Sequence, residues 1–112
     1  MILFISAQQP FMDSPVDERF GRSSWLIKVN TETSHWEALQ NPGASQSGGA
    51  GVAAAQFVID QNADIAVSGD FGPHAAGALR AANIERRLFT GEVSTVEQAV
   101  QSFLQGKLPV FD

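Results

Sequence analysis

The hydrophobic period of this chain changes once, near Gly51, and that change limits the folds open to it. Before it, short apolar or alternating runs bounded by turn residues read as strands; after it, apolar residues recur at helical spacing. Residues 1–7 form an apolar run, with Ile2, Phe4 and Ile5 as good strand formers, that suits a buried strand. A long loop follows from Gln8 to Arg22, carrying Pro10, Pro15 and scattered charges without a period. Loops of this length inside compact domains are often functional. With few apolar residues of its own, this one is expected to be mobile without a ligand and to close over one. Residues 24–29 and 35–39 read as two strands around the turn Asn30 to Ser34, a hairpin.

The segment from Asn41 to Gly51 is rich in Gly, Ser, Pro and Asn and leads into a helix over residues 52–59 with a broad apolar face. Residues 64–68 look like a strand and 69–72 a turn, and Pro73 suits the first position of a helix running to about Asn83. Residues 84–89 give a further strand, exposed or at an edge because it carries Glu85, Arg86 and Arg87. In the closing helix, Val96, Ala99, Val100, Phe103 and Leu104 form one stripe, Ser94 with Glu97 makes a capping box, and Gly106 ends it. The order is one strand, a hairpin, then helix and strand in alternation. It predicts an α/β fold, a ribonuclease H-like mixed sheet of about five strands with three helices, parallel in its second half because each helix carries the chain back across the sheet.

With 112 residues and 44% hydrophobic content, the chain has material for one core, so residues 1–112 are expected to form a single domain. Only 17% of residues are charged and the net charge is -5, so the dominant basic surface of a nucleic-acid binder is missing. Cysteine is absent, which removes disulfides, thiolate-held zinc or iron-sulfur centres and cysteine nucleophiles together. The apolar start is too short for a signal segment or a membrane span and no basic stretch precedes it, so the expected location is cytoplasmic, with no membrane partner.

Residues 47–54 fit a dinucleotide fingerprint through Gly49, Gly51 and Ala54, and Asp70 lies about 20 residues further on, at a strand end. A true fingerprint follows its strand at once, whereas here eight residues separate Leu39 from Gly48. What survives is physical: the turn Gly48, Gly49, Ala50, Gly51 opens a helix, and backbone N–H groups at a positive dipole end suit an anion. The plainer reading is that these glycines serve turn geometry alone. In the long loop, Arg19 and Arg22 offer donors to an anion and Gly21, after Phe20, allows close backbone approach. Alternatively, both arginines pair with Asp13, Asp17 or Glu18 and hold the loop. His74 follows Gly72 and Pro73 at the start of the second helix; a lone histidine is more often a surface residue than a ligand, and His35 reads as a strand residue. Asp70, without a second carboxylate nearby, suits a turn. The first strand carries no carboxylate, as a two-metal nuclease on such a sheet would need, and no serine lies in a nucleophile elbow.

Four segments taken together resemble the dinitrogenase iron-molybdenum cofactor-binding family: Val16 to Arg22, Asn41 to Ala44 with Gly48 to Gly51, Ser68 to Ala75, and the helix start Thr95 to Ala99. The likeness covers nearly the whole chain and implies the ribonuclease H-like fold. The family's members carry the nitrogenase cofactor or its precursor, and this sequence looks closer to the small, orange-protein-like members that hold a molybdenum-copper sulfide cluster without covalent attachment. The implied function is binding without turnover: carrying or scaffolding an anionic molybdenum-containing metal-sulfide cluster, iron-molybdenum or molybdenum-copper, with cluster-donor or cluster-acceptor proteins as partners. In the nitrogenase carriers a histidine precedes Phe-Gly in the loop, and here that position is Arg19. Hydrogen bonding and charge then become the implied holding mode, through Arg19, Phe20, Gly21, Arg22, the residues Gly48 to Gly51, and Gly72, Pro73 and His74, with His74 the one metal-ligand candidate. Two other classes stay open: a nucleotide-binding enzyme using Gly49, Gly51 and Asp70, and a regulatory interaction module without a ligand.

Overall fold

The computed structural model describes residues 1–111. Its elements are β1 (Ile2–Ala7), β2 (Trp25–Asn30), β3 (Trp36–Gln40), a 3-10 helix (Pro42–Ser45), α1 (Ala50–Asp60), β4 (Ile65–Ser68), α2 (Pro73–Ala81), β5 (Glu85–Leu88) and α3 (Val96–Leu104). The five strands form one mixed sheet in the order β3-β2-β1-β4-β5. β2 lies antiparallel to both β1 and β3, while β1 with β4 and β4 with β5 are parallel. The hairpin across Asn30 to Ser34 and the five-stranded, three-helix arrangement are both present as the sequence predicts.

β1 sits at the centre, which explains its unbroken apolar run: a strand covered on both faces needs apolar residues on both. Alternation still sorts them. Leu3, Ile5 and Ala7, with Ile27, Val29, Ile65 and Val67, face Val96, Ala99 and Val100 of α3. Phe4, with Leu26 and Ala66, faces Ala54, Ala55 and Val58 of α1 and Ala75, Ala76 and Leu79 of α2. The second layer combines alanines at the helix contacts with a few large rings, so both helices lie close to the sheet.

The helix ends refine the sequence reading. α1 begins at Ala50 rather than Val52, because Gly49 takes the N-cap position and its carbonyl accepts the Ala53 N–H at 3.0 Å. Ala50 and Gly51 therefore lie in the first turn. α3 has its capping box one residue later than expected: the Thr95 hydroxyl accepts from Gln98 N–H at 3.2 Å and the Gln98 side chain accepts from Thr95 N–H at 3.3 Å. Both Ser94/Glu97 and Thr95/Gln98 satisfy the spacing. Tertiary pairing decides between them, since the Ser94 carbonyl is taken by Val16 N–H at 3.0 Å, in an extended bridge that holds Ser94 outside the helix. All three helices close with the same double hydrogen bond, around Asn62, Asn83 and Gly106 in left-handed conformation.

The loop between β1 and β2 has more anchors than its composition suggests. Gln8 N–H donates to the Pro15 carbonyl at 3.1 Å, Asp17 N–H to Ser6 at 2.9 Å, Phe20 N–H to Asp70 at 3.0 Å, and the Ser14 carbonyl accepts from Val96 at 3.0 Å.

Candidate functional site

α1 delivers the chain to the start of β4 and α2 leaves its end, so both helices begin over the carboxyl ends of the parallel strands. Ligands of open α/β sheets bind at this edge. The loop of residues 17–22 lies across the same edge, held from below by two buried hydroxyls. Ser6 Oγ, near the end of β1, donates to the Asp17 carbonyl at 2.6 Å and lies 2.7 Å from Ser68 Oγ of β4, which reaches the Glu18 carbonyl at 3.3 Å.

Loop and helix starts enclose an open basin of about 310 Å³. Of the sequence-predicted residues, Arg19, Phe20, Gly21, Arg22, Gly49, Ala50, Gly51, Gly72, Pro73 and His74 line it, and Gly48 does not. Gly48 precedes the N-cap, outside the helix, with open space where its side chain would stand. Val52, Asp70, Phe71 and Ala75 also line the basin. Val52 went unnoticed in the sequence because a valine one turn into a helix reads as core; here it is exposed.

Phe20 is fully buried, its ring centroid 5.1 Å from that of Phe71, so it forms the floor and not a binding edge. Arg19 N–H donates to Asp17 Oδ1 at 2.9 Å and its Nε stands 3.5 Å from the same oxygen, but its side chain is 67% exposed. Such a pair contributes little and leaves most guanidinium donors facing water. Arg22 Nη1 donates to the Gln46 carbonyl, not to a carboxylate. The loop-holding reading of the arginines thus applies to Arg19 through Asp17 only. Asp70 is the turn residue its isolation suggested: Oδ1 accepts the Gly72 N–H at 3.1 Å. His74 is exposed at the second position of α2, and His35 lies apart, in the β2–β3 hairpin.

The first-turn N–H groups of Ala50, Gly51 and Val52, and those of His74 and Ala75, have no acceptor among the described residues. That is the ordinary condition of a helix start; what is particular is that two starts and two guanidinium groups share one basin. Among the described residues no group of three or more His, Asp and Glu side chains could form a coordination cage.

Residues 1–106 match the model of the family described as dinitrogenase iron-molybdenum cofactor. The chain belongs to this family. Among solved structures, the apo form of the orange protein from Desulfovibrio gigas is 37% identical with a TM-score of 0.91, over 98% of this chain and 92% of that one. A candidate NifB protein from Thermotoga is 25% identical, TM-score 0.83, over 97% and 91%. A candidate dinitrogenase from Methanocaldococcus jannaschii, 12% identical with a TM-score of 0.73 over 100% and 95%, shares the fold. Among curated proteins none matches the chain.

In this member of the dinitrogenase iron-molybdenum cofactor family, the dinucleotide fingerprint lacks its context. A 3-10 helix and a turn, not a strand, lead into Gly49. No helix among the described residues is long and apolar enough to cross a membrane.

Proposed function

We propose that this chain binds and carries, without turnover, an anionic molybdenum-containing metal-sulfide cluster, iron-molybdenum or molybdenum-copper, in the basin between residues 19–22, the start of α1 and the start of α2. Membership of a cofactor family and likeness to the orange protein support the class of ligand. The observation that carries the reading is that Arg19, Arg22 and the first turns of α1 and α2 line one basin, while the N–H groups of Ala50, Gly51, Val52, His74 and Ala75 have no acceptor among the described residues.

The donor set fits the group in one mode and not in another. A chain without cysteine, with one imidazole in the basin, does not offer a thiolate cage. Sulfide faces carrying negative charge accept hydrogen bonds from N–H groups and guanidinium, and the two helix starts add positive dipole ends. His74 is the single imidazole in the basin and the candidate for an added coordinate bond. The cluster is therefore cargo held by charge and hydrogen bonding, which suits handing it between a donor and an acceptor protein.

Anaerobic titration with tetrathiomolybdate, the simplest molybdenum-sulfide dianion, with and without copper(I) or iron(II), tests the reading. Stoichiometric bound molybdenum with new visible charge-transfer bands is the expected result. Nucleotide binding without them would favour the enzyme alternative, and neither would leave an interaction module.

A further inference from the structure

The segment Asn41–Pro42–Gly43 stands outside the basin, yet it ties two walls of the basin together. Asn41 is 4% exposed, and its side chain uses both of its ends. Nδ2 donates to the Phe20 carbonyl at 2.9 Å, lies 3.5 Å from the Gly21 carbonyl and 3.1 Å from Ser23 Oγ, while Oδ1 accepts the Gly43 N–H at 3.0 Å. One amide thus fixes the backbone on both sides of Gly21 and caps the 3-10 helix. The Gly43 α-carbon in turn sits in a slot between the carbonyls of Gly21 and Ala50, which a side-chain carbon would overlap. A Cβ on Gly21 would lie 2.8 Å from Gly51 N and 2.9 Å from its α-carbon. Loop, 3-10 helix and first turn of α1 are therefore in backbone contact, with the Asn41 side chain tying the first two together and Gly43 and Gly21 packed against the third.

We infer that Asn41 is a positioning residue for the basin: its buried amide sets the Arg19–Arg22 loop against the start of α1 before any ligand arrives. Arg22 depends on the same unit, because its head is held by the carbonyl of Gln46, whose own N–H donates to the Gly43 carbonyl at 3.1 Å. The inference rests on the proposed basin for its ligand but not for its geometry, and the two can be tested apart.

The first measurement is amide exchange in the apo protein. Asn41→Ala is expected to speed exchange at Ser23, Ala44 and Gln46, whose N–H groups are bonded within this unit, and at Phe20, whose own carbonyl the amide holds, and to leave Phe4, Ile5 and Ala99 as slow as in the parent. Unchanged protection at Phe20 and Ser23 overturns the inference; if Asn41→Ala fails to fold, Ser23→Ala, which removes one partner of the amide, is read in the same way. The second measurement is anaerobic tetrathiomolybdate affinity as a double-mutant cycle. Loss of the buried amide is expected to weaken binding about tenfold in the parent and less than about twofold in the Arg19→Ala/Arg22→Ala background. A residue that only stabilises the fold would give equal losses in both backgrounds, and that result also overturns the inference. A parent that binds no tetrathiomolybdate refutes the cluster reading, while the exchange experiment still decides the role of Asn41.

Discussion

Arginine and histidine at one basin make different predictions. If charge and N–H donors hold the ligand, Arg19→Ala with Arg22→Ala weakens binding by about tenfold or more at low salt and leaves the remainder less salt-sensitive, and His74→Ala matters less. If His74 coordinates metal, the order reverses and the visible spectrum changes with His74→Ala. Titrating both variants at two salt concentrations while recording spectra decides. A glycine supplies the stability test at this scale. Gly21→Ala places a methyl against the backbone of Gly51, and is expected to destabilise by about 1–3 kcal/mol in denaturant unfolding, as overpacking does. Loss of no more than a few tenths would show that the loop can shift away from α1. The sequence offered Gly21 as a point of close approach; which backbone it approaches is a matter of the fold.

At the scale of elements, the start of α3 offers the clearest case of two local solutions with one chosen by context. Ser94/Glu97 and Thr95/Gln98 share a spacing, but only the second makes the reciprocal bonds. Thr95→Ala should therefore cost about 1 kcal/mol in chemical unfolding, and Ser94→Ala should fall within about 0.5 kcal/mol of the parent. Equal effects would return the box to Ser94. The early start of α1 has the same origin. Apolar periodicity could not reveal that Gly49 caps the helix, because a glycine cap carries no side-chain signature, and the shift by two residues is what places Gly51, a lining residue of the basin, in the first turn.

At the scale of the whole molecule, the chain's end closes one edge of the sheet. The outer edge of β5 is covered by the chain's last described residues: Leu88 N–H donates to Pro109 at 2.9 Å, Phe111 N–H to Arg86 at 2.8 Å, and Arg87 Nη1 to the Leu108 carbonyl at 2.7 Å. Leu108 is 2% exposed and belongs to the core under α3, while Phe111 packs on Phe71 at 5.4 Å. Leu108→Ala should cost about 2–5 kcal/mol in unfolding free energy. Removal of residues 108–112 should also expose the β5 edge and raise self-association, seen as a concentration-dependent elution volume. An unchanged, monomeric truncated chain would show that the tail is not what protects the edge.

The sequence by itself determined the order and type of the strands and α-helices, because a period of two or an unbroken apolar run and a period near 3.6 are properties of adjacent residues, but not the 3-10 helix Pro42–Ser45. It also determined that no thiolate could hold a metal, since the chain has none. Grouping Arg19 to Arg22, Gly49 to Gly51 and Gly72 to His74 as one site came from resemblance, and the structure brings them to one basin. Tertiary structure alone decided that Gly48 stands outside it, that Phe20 is floor, and that Asn41 bonds the loop behind it to the 3-10 helix. Those outcomes depend on contacts between segments some twenty to fifty residues apart, for which local patterning carries no signal.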